Sequence, residues 1–154
     1  MMRFEDQLAA FRVRTTNPGY SALILLGTGQ ATTAALLLGT LSLSHVAFLL
    51  TDATRELPQQ VAALLSCSAD EWLCLPGDHS TTLSVYQGLR RLMERWQDLP
   101  RTTIAVDVTG GLKPMSVGVE KAAHLLELAT LYIESDYGAS PDGRFGPIPG
   151  TQRL

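Results

Sequence analysis

The residues of this chain best suited to chemistry stand together in Asp107, Val108, Thr109, Gly110, Gly111, Leu112, Lys113, Pro114 and Met115. Two adjacent glycines let the backbone turn sharply and let a ligand approach the main chain. Pro114 suits the first turn of a helix, where its missing donor costs nothing. Free amides at a helix start, with the positive end of its dipole behind them, make an anion the natural guest. Lys113 is then a point charge and Thr109 a hydroxyl donor. The same turn would also serve as a plain strand-to-helix connection. A second glycine turn, Gly27, Thr28, Gly29, Gln30 and Ala31, places short polar groups at another strand mouth, where Thr28 and Gln30 meet a ligand or cap the next helix. Neither turn is a known phosphate loop. Leu112 and Pro114 flank Lys113 where a P-loop needs glycine and Ser/Thr, and the third glycine of a dinucleotide fingerprint would fall at Thr32.

The elements that must position these turns can be read from apolar spacing. Ala22 to Leu26, Val46 to Leu50, Trp72 to Leu75, Thr103 to Val106 and Ala129 to Ile133 are short apolar runs of strand length, the third nearer an edge. Between them lie helical patterns over Thr32 to Leu41, from near Thr54 with Glu56 in its first turn, through Val85, Leu89, Leu92 and Trp96, and over Met115 to Leu128. Ser80 reads as the cap of the third of these, and Met115, Val119, Ala122 and Leu126 as the core face of the last. His124, in that last helix, reads as a packing or surface residue. Residues 1–19 form an N-terminal arm with a short helix from Phe4 to Val13, broken by Asn17, Pro18 and Gly19. Residues 138–154 are a turn-rich extension with Asp142 and Gly143 as a hairpin tip and Thr151 to Leu154 as the start of another strand.

A length of 154 residues fits one domain with one hydrophobic core, and 45% hydrophobic with 18% charged residues is globular composition. The formal net charge of -3 argues against a long nucleic acid as partner. It leaves room for a small phosphate-bearing ligand, and of 12 basic residues only Lys113 and Lys121 are lysines, so a lysine inside the glycine turn is suggestive. No apolar run reaches the ~20 residues of a membrane span, and Arg3, Glu5 and Asp6 leave no signal core after Met1. A cytoplasmic protein without membrane contact is expected. Cys67 and Cys74 match no zinc spacing and are expected to be reduced structural cysteines, with no metal or cofactor.

Strands alternating with helices imply right-handed crossovers and an α/β, Rossmann-like, doubly wound and mostly parallel sheet, followed by a turn-rich, antiparallel extension. In the order 3-2-1-4-5 the topological switch lies between strands one and four, and ligands bind there at the carboxyl ends. The two glycine turns converge on that crevice. Thr51, Asp52 and His79 follow strands two and three at the same edge and would form its side wall.

The stretch Asp107 to Met115 resembles the Asp-x-Thr-Gly-Gly-x-Lys-x-Met signature of CARF domains, the CRISPR-associated Rossmann-fold sensors of type III CRISPR systems. The similarity continues into Leu131 to Tyr137 and the Pro147 to Thr151 segment, and holds in layout alone over the first half. Many members of that family have a small polar residue where this chain has Leu112. The resemblance implies a homodimer that binds a ring of 3′,5′-linked adenylates, usually cyclic tetra- or hexa-adenylate, across its two-fold axis. Thr109, Gly110, Gly111 and Lys113, with Met115 ending the stretch, would hold ribose and phosphate, opposite Thr28, Gly29 and Gln30. Two functions follow from the resemblance. One is an antiviral-defence sensor that allosterically controls a linked effector domain. The other is a stand-alone, metal-independent ring nuclease, in which Lys113 steadies developing charge while Thr28, Thr109 or His79 orients the attacking 2′-hydroxyl. A nucleotide-binding Rossmann enzyme outside CRISPR, holding one mononucleotide per subunit, is a third possibility.

Overall fold

The computed structural model describes residues 3–26, 31–75, 81–109, 113–133, 137–139, 145–147, 150 and 154, with the backbone alone at 113–117, 137–139 and 145–147. Helix α1 (Phe4–Arg14) precedes strand β1 (Ala22–Leu26), helix α2 (Ala31–Thr40) and strand β2 (His45–Leu49). A short 3-10 turn (Asp52–Thr54) leads to α3 (Leu57–Leu65), followed by β3 (Leu73–Leu75) and α4 (Thr82–Arg95). Strand β4 (Ile104–Asp107), α5 (Lys113–Leu125) and β5 (Ala129–Leu131) complete the main unit. Two further strands, β6 (Tyr137–Ala139) and β7 (Phe145–Pro147), pair antiparallel.

The five strands form one sheet in the order β3-β2-β1-β4-β5, every pair parallel. This is the doubly wound order expected from the sequence. Strand β1 is buried along its whole length because helices cover both faces. That is why it reads as an unbroken apolar run and not as an alternation. Ile24, Leu26, Ala47, Leu49, Ile104 and Val106 face α4 and α5. Leu23, Leu25, Phe48 and Ala105 face α1, α2 and α3. Burying each such leucine or isoleucine stabilises the fold by roughly 1.5–3 kcal/mol.

Three local expectations need correction. The helix expected from near Thr54 begins at Leu57, and Thr54 instead closes the 3-10 turn. Pro58 explains the shift, since proline is tolerated in a first helical turn and nowhere deeper. The cap of α4 is Thr81, which exchanges backbone and side-chain hydrogen bonds with Ser84 at 3.0 and 3.1 Å. Ser80 lies outside the described residues, as do the hairpin tip at Asp142 and Gly143 and the residues 151–153. Cys67 and Cys74 are free thiols but exposed, so they do not pack in a core. Strand alternation turns Leu73 and Leu75 inward and leaves Cys74 on the opposite side of an edge strand.

The placement of α5 depends on Gly118. A Cβ there would lie 2.1 Å from Thr82 Oγ1 and 3.1 Å from Thr82 Cβ. Only glycine lets α5 lie this close to the first turn of α4. Alanine at this position carries two opposed terms, about 1 kcal/mol gained in helix propensity against about 1–3 kcal/mol of overpacking. Gly118→Ala is therefore expected to lower stability in the native background and to cost less in a Thr82→Ala background, which removes Oγ1 but keeps the Cβ at 3.1 Å, a difference that denaturant melts of the double-mutant cycle would read. Equal effects in both backgrounds would mean that Thr82 does not set the spacing.

Candidate functional site

Strands β1 and β4 are direct neighbours, with Ala22 opposite Ile104 and Leu25 opposite Asp107. Each is followed in the chain by a helix, α2 from Ala31 and α5 from Lys113. The two helices cover opposite faces of the sheet. Two helix N-termini, with their free amides and positive dipole ends, are therefore brought to the carboxyl edge of adjacent strands. Thr28, Gly29, Gln30, Gly110, Gly111 and His79 lie outside the described residues, and of Lys113 and Met115 the backbone alone is described, in the first turn of α5.

Thr109 is described in full and lies at this edge. Its backbone N–H donates to Asp107 Oδ1 at 3.0 Å, and its hydroxyl donates to the same oxygen at 2.5 Å. The N–H of Ile133 then donates to Thr109 Oγ1 at 2.8 Å. One rung earlier, Val108 N–H donates to the Leu131 carbonyl at 2.9 Å. The side chain of Thr109 thus takes over, beyond the end of β4, the part that a backbone carbonyl plays in a regular ladder. This bears on the donor role that the sequence suggests for Thr109. Its single hydroxyl hydrogen points to Asp107, which leaves that oxygen one lone pair for a ligand.

Asp107 is the one buried polar residue among the described residues, at 6% exposure. It sits beside Leu25 on one side and Leu131 on the other. Sequence reading passed over it as a site residue. The signal was present, because an aspartate two residues before a threonine and ahead of a glycine turn is the pattern of an Asx turn.

Thr51 and Asp52 follow β2 at the same carboxyl edge, as expected. The Thr51 N–H donates to Thr54 Oγ1 at 3.0 Å, and the two hydroxyl oxygens also lie 3.0 Å apart. Asp52 pairs with Arg55 at 3.4 Å, with both side chains largely exposed. An open cleft of about 550 Å³ lined by Asp52, Thr54, Arg55 and Gln60 opens beside them. It lies on the β2 side and not at the β1–β4 switch. Among the described residues no group of three or more His, Cys, Asp or Glu could hold a metal, and no helix is long and apolar enough to cross a membrane.

Burial raises the Asp107 carboxyl above the usual aspartate range, while the side-chain and backbone hydrogen bonds from Thr109 pull it partly back. The folded chain therefore holds this proton to higher pH than the unfolded chain does. Its contribution is most favourable below the ordinary aspartate value and weakens as pH rises through the raised one. Asp107→Asn keeps an oxygen acceptor and removes the charge. Its unfolding free energy relative to the native chain should improve as pH rises from the ordinary aspartate value through the raised one and then level off, read by urea melts. A difference that is flat with pH would contradict a desolvated carboxyl.

No protein-family model matches the chain, and no curated protein matches it in sequence. Among solved structures the chain is similar to Can2 from Sulfobacillus thermosulfidooxidans in complex with cyclic tetra-adenylate. The TM-score is 0.55 at 14% sequence identity, over 94% of this chain and 39% of that one. The chain therefore spans well under half the length of Can2, and at this identity the likeness is one of fold. Together with the sheet order, it gives the chain an α/β, Rossmann-like fold shared with part of that structure.

Proposed function

We propose that this chain is a cyclic oligoadenylate-binding sensor domain of a type III CRISPR ancillary protein. The observation that carries the reading is that α2 and α5, each preceded in the sequence by a glycine-bearing segment, follow the neighbouring parallel strands β1 and β4 and so begin on the carboxyl side of the sheet. The Thr-Gly-Gly-x-Lys sequence of the second turn and a fold shared with a protein solved with cyclic tetra-adenylate support it. Backbone amides and one lysine per subunit suit a small symmetric polyanion, which a two-fold homodimer grips twice. In this reading Gly110, Gly111 and Lys113 meet ribose and phosphate from one side, and Thr28, Gly29 and Gln30 from the other. Thr51, Asp52 and His79 line the flank. Occupation of the crevice shifts the dimer geometry and so controls an effector domain linked to it.

The ring-nuclease alternative needs a group to accept the proton of the attacking 2′-hydroxyl. Among the described residues at the crevice, the Thr109 hydroxyl is engaged with Asp107 and Ile133, and the Asp107 carboxyl is buried behind it. That arrangement favours binding over cleavage.

The test is titration of the purified protein with cyclic tri-, tetra- and hexa-adenylate, followed by chromatography of the recovered ligand. One ring size is expected to bind and to return intact. Lys113→Ala should weaken it by about tenfold or more, the size of a lost charge-assisted contact. Linear adenylates ending in 2′,3′-cyclic phosphate would make the protein a ring nuclease instead, and unchanged affinity in the lysine variant would sink the site assignment.

A further inference from the structure

Resting on the ring-binding reading, we propose that Asp107 is a positioning residue for ring binding, which sets how the chain leaves β4 by holding Thr109 against the end of β5. Three hydrogen bonds in series make the device. Asp107 Oδ1 receives both the N–H and the hydroxyl of Thr109, and Thr109 Oγ1 receives the N–H of Ile133. Each end of this series is anchored where little can move. Asp107 is the last residue of a strand flanked on both sides by other strands, and Ile133 is buried at 3% exposure beside the core that contains Leu25 and Leu131.

Two glycines follow Thr109 in the sequence, and glycine does not hold a backbone direction of its own. Something before them must fix where the loop starts. The regular β4–β5 ladder reaches as far as the Val108 N–H and the Leu131 carbonyl. The Asp107–Thr109–Ile133 series extends the connection by one further rung using side-chain oxygens. The hydroxyl hydrogen of Thr109 points inward to Asp107, so Thr109 serves to fix the exit from β4 and not as a hydroxyl donor to a ligand.

The charge of Asp107 would oppose a polyanion, so its role as acceptor and its role as charge make opposite predictions. Asp107→Ala removes the acceptor and the charge together, and Asp107→Asn removes the charge alone. As a positioning residue, Asp107→Ala is expected to weaken ring binding by about tenfold, while Asp107→Asn stays within about threefold of the native chain. Tighter binding by both variants would overturn the proposal, since charge repulsion would then dominate, and so would native affinity in Asp107→Ala.

A second readout needs no ligand. Hydrogen exchange of the Ile133 amide should quicken at least about tenfold in Thr109→Val, which lacks the hydroxyl, and stay near native in Thr109→Ser, which keeps it. Equal protection in native chain and Thr109→Val would overturn the series whatever the ligand. If the native chain bound no ring, the ring-binding reading would fall, and the exchange result would still decide for or against the clamp.

Discussion

The structure depends on one pairing. Two apolar strands, β1 and β4, lie side by side at the centre of a parallel sheet although many residues of chain separate them. Helices on both faces remove all five residues of β1 and all four of β4 from water, so the pairing is driven by burial as much as by its ladder. Helices α2 and α5 cover opposite faces of the sheet, as crossovers of the usual right hand running outward from β1 and from β4 require. Both helix N-termini thereby stand at the carboxyl edge of the sheet. In the proposed reading, the chemistry needs little beyond the glycines of the two connecting segments and one cation, Lys113.

That economy accounts for a site with few ionisable groups. Asp107 is the one buried polar side chain among the described residues, and it faces Thr109 and not the open edge. A carboxylate so placed costs desolvation free energy. Its retention at the end of a central strand makes sense where the loop beyond it must keep one direction. Gly118 acts on the other face of the sheet, where it lets α5 lie against Thr82.

Much of this was legible in the residues themselves. Leu23, Ile24 and Leu25 announce a strand covered on both faces, and the spacing Val85, Leu89 and Leu92 announces the core face of α4. The strand order followed from alternation and handedness. What escaped was of two kinds. Local backbone chemistry moved boundaries by a few residues, as Pro58 did for α3 and the Thr81–Ser84 exchange did for α4. Partnerships across the chain were hidden altogether: nothing in sequence says that the Ile133 amide seeks Thr109, or that the Thr109 hydroxyl turns inward. Cys74 was misjudged because apolar neighbours in sequence alternate to the other face of a strand. Of the expected site residues, Thr51, Asp52 and Thr109 stand at the carboxyl edge of the sheet, and Lys113 and Met115 begin α5. The glycine turns, with Thr28, Gln30 and His79, lie outside the described residues.

The measurement that bears most directly on the central claim is a backbone amide NMR titration with an intact cyclic oligoadenylate. If the two turns form the ligand crevice, the largest shifts cluster in Gly27 to Ala31 and in Thr109 to Lys113, saturating at one ring per two chains. Shifts centred on the cleft of Asp52, Arg55 and Gln60, or spread without a centre, would contradict it.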